Sequence, residues 1–208
     1  MDQVSVGDDF RGRRKLPFWL RWVIFSSIGS AAGVLSWVSI GAILETAGFR
    51  SQETWAVALQ STIVGAAFGI CFGLGQWLAL RKYLARSTRW ILATTLGYSA
   101  VFLAAGILIP GGQVASLQPV LQISAGFFLG SLIALPVSFI QWWLVLRSNL
   151  AHGLTWIPVS VISWALGFAI SFAMGIWFGD LTFIAGPLVA IALSGLALAR
   201  LLPGAGED

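Results

Sequence analysis

Six apolar runs, each about as long as a bilayer is thick, decide what this chain can fold into. They cover residues 22–43, 55–78, 90–109, 121–144, 156–178 and 181–201. A helix needs about 20 mostly apolar residues to cross the hydrocarbon core. Within that core only helices and closed barrels satisfy their own backbone groups. The expected fold class is therefore all-α and integral to the membrane, with six transmembrane helices. Only 10% of the residues are charged, against about 25% in a soluble domain, so no water-facing surface can be clothed. Pro187 falls inside the sixth run and is expected to kink that helix or mark its first turns.

The charges orient the runs. Arg11, Arg13, Arg14, Lys15 and Arg21 precede the first; Arg81, Lys82, Arg86 and Arg89 lie between the second and third; Arg147 follows the fourth and Arg200 ends the sixth. Only Arg50 falls on the other side. This is the positive-inside asymmetry, and it predicts that both termini are cytoplasmic. Glu45, Glu53 and Asp180 then face outward. The net charge of +4 reflects topology and contact with anionic lipid. No basic face with interleaved aromatics is available for nucleic acid. The first run is longer than the roughly 7–15 residues of a signal-peptide core, so it is expected to stay as an anchor.

The chain also repeats itself. Residues 77–90 and 143–156, a shift of 66, are identical at seven of fourteen positions, among them Trp77/Trp143, Leu80/Leu146, Arg81/Arg147 and Trp90/Trp156. Upstream the shift becomes 65, so that Gln76 meets Gln141, Gly65 meets Gly130, Gly69 meets Ala134 and Gly73 meets Ser138. Such self-similarity predicts a duplicated unit, here a pair of antiparallel helices. The expected organisation is a basic N-terminal segment at 1–18, hairpins at 19–89, 90–155 and 156–202, and a tail at 203–208. The third hairpin is a degraded copy in which "LALARLL" replaces the Trp–Arg element. Because each unit crosses twice, the repeats are parallel, unlike the inverted repeats of many transporters.

Indole rings favour the headgroup level and Arg reaches the phosphates. Trp77, Arg81, Trp90, Trp143, Arg147 and Trp156 are accordingly expected to anchor the bundle at the cytoplasmic interface. Small residues four apart let helices approach closely, and most such ladders are expected to pack inside the bundle. Gly65, Gly69 and Gly73, three in register on the second helix, are the candidate face for docking a partner subunit. The hydroxyls within the runs are expected to bond back to their own helices. Gln60, Gln76, Gln122 and Gln141 are expected to bond between helices.

No Asp, Glu, Lys, Arg or His lies in the middle of any run, which disfavours an ion path or proton relay. One cysteine, Cys71, and one histidine, His152, cannot supply the roughly four ligands of a structural metal site. No clustered carboxylates or histidines suggest acid–base or nucleophilic chemistry. The expectation is a protein that is not an enzyme and has no cofactor and no metal.

The elements "QWLALR" at residues 76–81 and "QWWLVLR" at 141–147, each preceded by spaced small residues, resemble those of a group of uncharacterised bacterial multi-pass membrane proteins with tandem Gln-Trp-x-x-Leu-Arg hairpins. The resemblance covers residues 65–167. It departs from the group's pattern in the extra Trp142 and in the missing element at the end of the sixth run. Members occur often in phototrophs, but the resemblance implies architecture and no activity. The expected role is a non-catalytic accessory or scaffolding subunit packed against a larger photosynthetic or respiratory complex. Its partners would be membrane lipids and other membrane subunits, with a bound lipid, quinone or pigment left open. The alternative is the substrate-binding membrane component of a small-molecule, vitamin-like transporter, with Glu45, Glu53, Gln60, Gln122 and Asp180 edging an outward pocket. The expected location is the bacterial cytoplasmic membrane, with a thylakoid membrane as the alternative.

Overall fold

The computed structural model describes residues 16–47, 53–108, 119–178 and 184–205. Every regular element among them is helical: α1 (Phe18–Thr46), α2 (Thr54–Leu80), α3 (Arg89–Leu108), α4 (Pro119–Gln141), α5 (Arg147–Asn149), α6 (Trp156–Phe178) and α7 (Ala185–Leu201). A π-helical turn, Trp142–Leu146, joins α4 to α5, and a 3₁₀ turn, Gly153–Thr155, leads into α6. Five helical stretches are long and apolar enough to cross a membrane, while α7 is shorter. The expected spans thus reappear, several extended by a turn. The sixth is the exception: its helix has 17 residues, about 25 Å at 1.5 Å per residue. Pro187 stands in the first turn of α7, where its missing N–H leaves no intrahelical bond broken, and residues 181–183 lie outside the described chain.

Neighbouring helices run antiparallel, and glycines mark where their backbones meet. A Cβ added at Gly29 would lie 2.7 Å from Cys71 O, and one at Gly69 2.7 Å from Thr95 Cα. At Gly97 it would meet Val137 Cα at 2.7 Å, at Gly130 Trp164 O at 2.4 Å, and at Gly167 Gly186 O at 2.5 Å. In lipid the hydrophobic drive between helices is missing, so such contacts carry the association. The helices therefore follow one another around a ring of α1, α2, α3, α4, α6 and α7. The ring closes, because α7 packs back on α1 and the Trp22 ring lies against Gly195.

The core is concentrated at the basic end. Phe18, Trp22, Leu80, Trp90, Leu146, Trp156 and Leu198 are buried there. Toward the opposite end the exterior is apolar: Leu35 is 68% exposed, Leu108 76% and Val120 74%. Large apolar side chains turned outward on helices of this length are what a hydrocarbon surround requires.

The π turn has a cause in the sequence. Gln76 stands five residues before Arg81, but Gln141 stands six before Arg147. A π turn accommodates one extra residue without breaking the helix. It lets Gln141 face inward while Arg147 keeps the outward position that Arg81 occupies. At the same end, the Ala85 N–H donates to Asn149 Oδ1 at 3.0 Å, tying the loop after α2 to α5. In that loop Arg86 has φ 55°, a left-handed conformation that disfavours branched side chains. Arg86→Gly is expected to leave stability within about 1 kcal/mol of the parent, whereas Arg86→Ile lowers it by about 1–2 kcal/mol. Reversible unfolding in mixed micelles checks both.

Candidate functional site

Three tryptophans near the starts of α1, α3 and α6 meet in the middle of the basic end. The ring centroids of Trp22 and Trp90 are 6.2 Å apart, those of Trp22 and Trp156 6.2 Å, and those of Trp90 and Trp156 5.7 Å. Two of the contacts are edge-to-face, at 81° and 84°, the arrangement the ring quadrupole favours. Trp22 and Trp90 are 0% exposed and Trp156 2%.

An indole N–H buried away from water needs an acceptor, and the preceding hairpin supplies it. Trp90 Nε1 donates to Gln76 Oε1 at 2.8 Å, and Trp156 Nε1 donates to Gln141 Oε1 at 2.9 Å. Gln141 Nε2 in turn donates to Thr94 Oγ1 at 3.0 Å, whose own hydroxyl donates to Trp90 O at 2.8 Å. Trp22 differs: its Nε1 donates to the backbone carbonyl of Ile191 at 3.1 Å. The reason lies on α7, where Gly195 stands five residues before Arg200, as Gln76 stands five before Arg81. With no side chain there, the Trp22 ring occupies the space, and a Cβ at Gly195 would fall 2.4 Å from Trp22 Cδ1.

Four of the expected anchors behave as a pair of pairs. The Arg81 guanidinium lies over the Trp77 ring at 5.9 Å and that of Arg147 over Trp143 at 5.5 Å. Each is a cation–π contact between residues one helical turn apart, with both arginines exposed. Trp90 and Trp156 must be reassigned. They are buried among other rings inside the bundle rather than standing at its lipid-facing edge, because each sits on the inward face of its helix, above Thr94 or Ser160 four residues on. The sequence did carry a signal for this. A glutamine in an apolar helix has to find a polar partner, and an indole at the start of the next helix is within reach.

The candidate docking face is also corrected. A Cβ at Gly65 would meet Phe102 Cβ and Tyr98 O at 2.7 Å, at Gly69 Thr95 Cα at 2.7 Å, and at Gly73 Ile91 Cα at 3.1 Å. All three glycines face α3 and are covered by it. Hydroxyls mostly bond back as expected: Thr62 to Ala58 O, Thr95 to Ile91 O and Ser163 to Val159 O. Ser26 and Ser27 do not, and each Oγ is enclosed without a partner among the described residues. At the opposite end, Trp55 Nε1 donates to Glu53 Oε2. The Glu45 side chain and all of Asp180 lie outside the described residues.

Two apolar grooves open on the exterior. One, of about 460 Å³, runs between α1 and α7 and is lined by Ser27, Ser30, Ala31, Leu35, Pro187 and Leu188, among others. Of the two helices that wall it, α1 has 29 residues and α7 has 17. A Cβ at Gly41, further along α1, would meet nothing within 4 Å. The other groove, of about 470 Å³, lies between α3 and α4 and is lined by Ala104, Leu108, Leu129, Leu132 and Pro136, among others. Comparison with family models, curated proteins and solved structures found no match.

Proposed function

We propose that this chain is a non-catalytic accessory subunit of a larger complex in the bacterial cytoplasmic membrane, photosynthetic or respiratory in kind. In this reading it is built from three copies of one helical hairpin with both termini in the cytoplasm. The basic residues Arg21, Arg81, Lys82, Arg86, Arg89, Arg147 and Arg200, which share one end, support that orientation. The observation that carries the role is the open seam between α1 and α7. Gly65, Gly69 and Gly73 of α2, Gly126 and Gly130 of α4 and Gly167 of α6 are each covered by a neighbouring helix. By contrast, Ser27, Ser30 and Ala31 on α1 line an open groove. Small residues four apart on an uncovered face suit a transmembrane helix of a partner subunit.

The experiment is gentle extraction from native membranes followed by mass measurement of the intact assembly. A stoichiometric complex is expected. Ala31→Phe, which fills the groove at an exposed position, should release the partner while leaving the melting temperature of the isolated chain unchanged. A chain that emerges alone, or an association indifferent to Ala31→Phe, overturns the reading.

The α3–α4 groove favours a second reading, a substrate-binding transport component for a small apolar molecule. Its volume lies within the roughly 300–1,000 Å³ of small-molecule sites, and a lipid, quinone or pigment would suit the same walls. A ligand at 100 times its dissociation constant would then raise stability by about 2.7 kcal/mol. An accessory subunit would show no such response.

A further inference from the structure

The tryptophan ring has three positions and only two glutamines, and the consequence is written in the polar groups around it. Four residues after each tryptophan stands a hydroxyl: Ser26, Thr94 and Ser160. At the middle position both ends of the glutamine amide are engaged, since Gln141 accepts from Trp156 and donates to Thr94. The matching donor for Ser160 would come from the residue at 195, which is glycine. Ser160 is 3% exposed and makes no side-chain hydrogen bond to another described residue. Gln76, 4% exposed, accepts from Trp90, but its Nε2 donates to no described residue. Tyr98, 5% exposed, likewise has a hydroxyl with no partner among the described residues.

These three groups converge. Gln76, Tyr98 and Ser160, together with Gln141 and Ser194, line a largely enclosed cavity of about 10 Å³. That is about the room one water needs, and a buried water makes about three hydrogen bonds to otherwise unsatisfied groups. A cavity lined only by apolar atoms stays dry, but this one is polar on several sides. The polar lining is uncharged, so a bare ion would find no countercharge to offset its desolvation, and nothing larger than water fits.

We infer that this cavity is a binding site for one ordered water that takes the place of the missing third glutamine amide. The water accepts from Gln76 Nε2 and from the Tyr98 hydroxyl, and it donates to Ser160 Oγ. It thereby links α2, α3 and α6, one helix from each hairpin, beside the tryptophan ring. Leaving three buried polar groups unmet in a low-dielectric core is the costly alternative.

The test is a density map of the full chain in lipid nanodiscs, at a resolution where ordered buried waters are visible. The expected result is a single peak about 2.7–3.2 Å from all three named atoms, and its loss or displacement in Ser160→Ala. A cavity without a peak, or a Gln76 amide found donating directly to Ser26 Oγ, overturns the proposal. So does a peak that keeps its place in Ser160→Ala. Should that variant fail to fold, the parent map alone decides between these outcomes.

Discussion

Trp90→Ala is expected to destabilise the bundle by about 3 kcal/mol or more, whereas Trp143→Ala changes it by less than about 0.5 kcal/mol. Truncating a buried tryptophan typically costs about 3–5 kcal/mol through lost contacts and the space left behind. In lipid the transfer part of that cost is small, because the surroundings of the unfolded bundle are also apolar, so the lower end of the range applies. Two further losses add to it. Trp90 packs against both Trp22 and Trp156, so one truncation loosens three helices. It also removes the donor from Gln76 Oε1, and an orphaned buried acceptor costs about 1–3 kcal/mol. Trp143 is 47% exposed, and it meets only the Phe139 ring at 6.4 Å and the exposed guanidinium of Arg147 at 5.5 Å among the aromatic and cation–π contacts of the described residues. Unfolding of the two variants in mixed micelles separates the alternatives. Equal, small effects would mean that Trp90 is an interfacial anchor after all, as its place beside a basic loop suggests.

That contrast shows how far the sequence is legible. Apolar run length gave the helices to within a few residues, because the thickness of a bilayer is a hard constraint on any spanning helix. Within the run at 181–201 the described helix is Ala185–Leu201, and residues 181–183 lie outside the described chain. The same statistical regularity that places tryptophan at interfaces misplaced Trp90 and Trp156. Near a membrane boundary an indole can face outward to headgroups or inward to a partner, and both positions look alike in one dimension. The glutamines Gln76 and Gln141 held the distinguishing information, because each must be satisfied within the bundle. Ring closure rests on Trp22 lying against Gly195, a contact between residues 173 apart in the chain. Nothing in a local pattern encodes it. The π turn, by contrast, was written openly in the extra Trp142.

Gly69→Leu is expected to abolish the α2–α3 crossing and leave no folded bundle, and Gly69→Ala to cost about 1–3 kcal/mol through overpacking. The reason is what the new atom meets. A Cβ at Gly69 would lie 2.7 Å from Thr95 Cα and 3.0 Å from Thr94 O. Both are backbone atoms, so no rotamer change relieves the contact and the helices themselves must separate. Separation there propagates about two turns along α2, to the bond between Gln76 and Trp90. Gly41→Leu is the control, because a Cβ at Gly41 meets nothing within 4 Å, and no loss of stability is expected from it. Thermal unfolding of the isolated variants is the measurement. If Gly69→Leu melted like the parent when purified alone, α3 would not cover that face, and the ladder of Gly65, Gly69 and Gly73 would again be available to a partner.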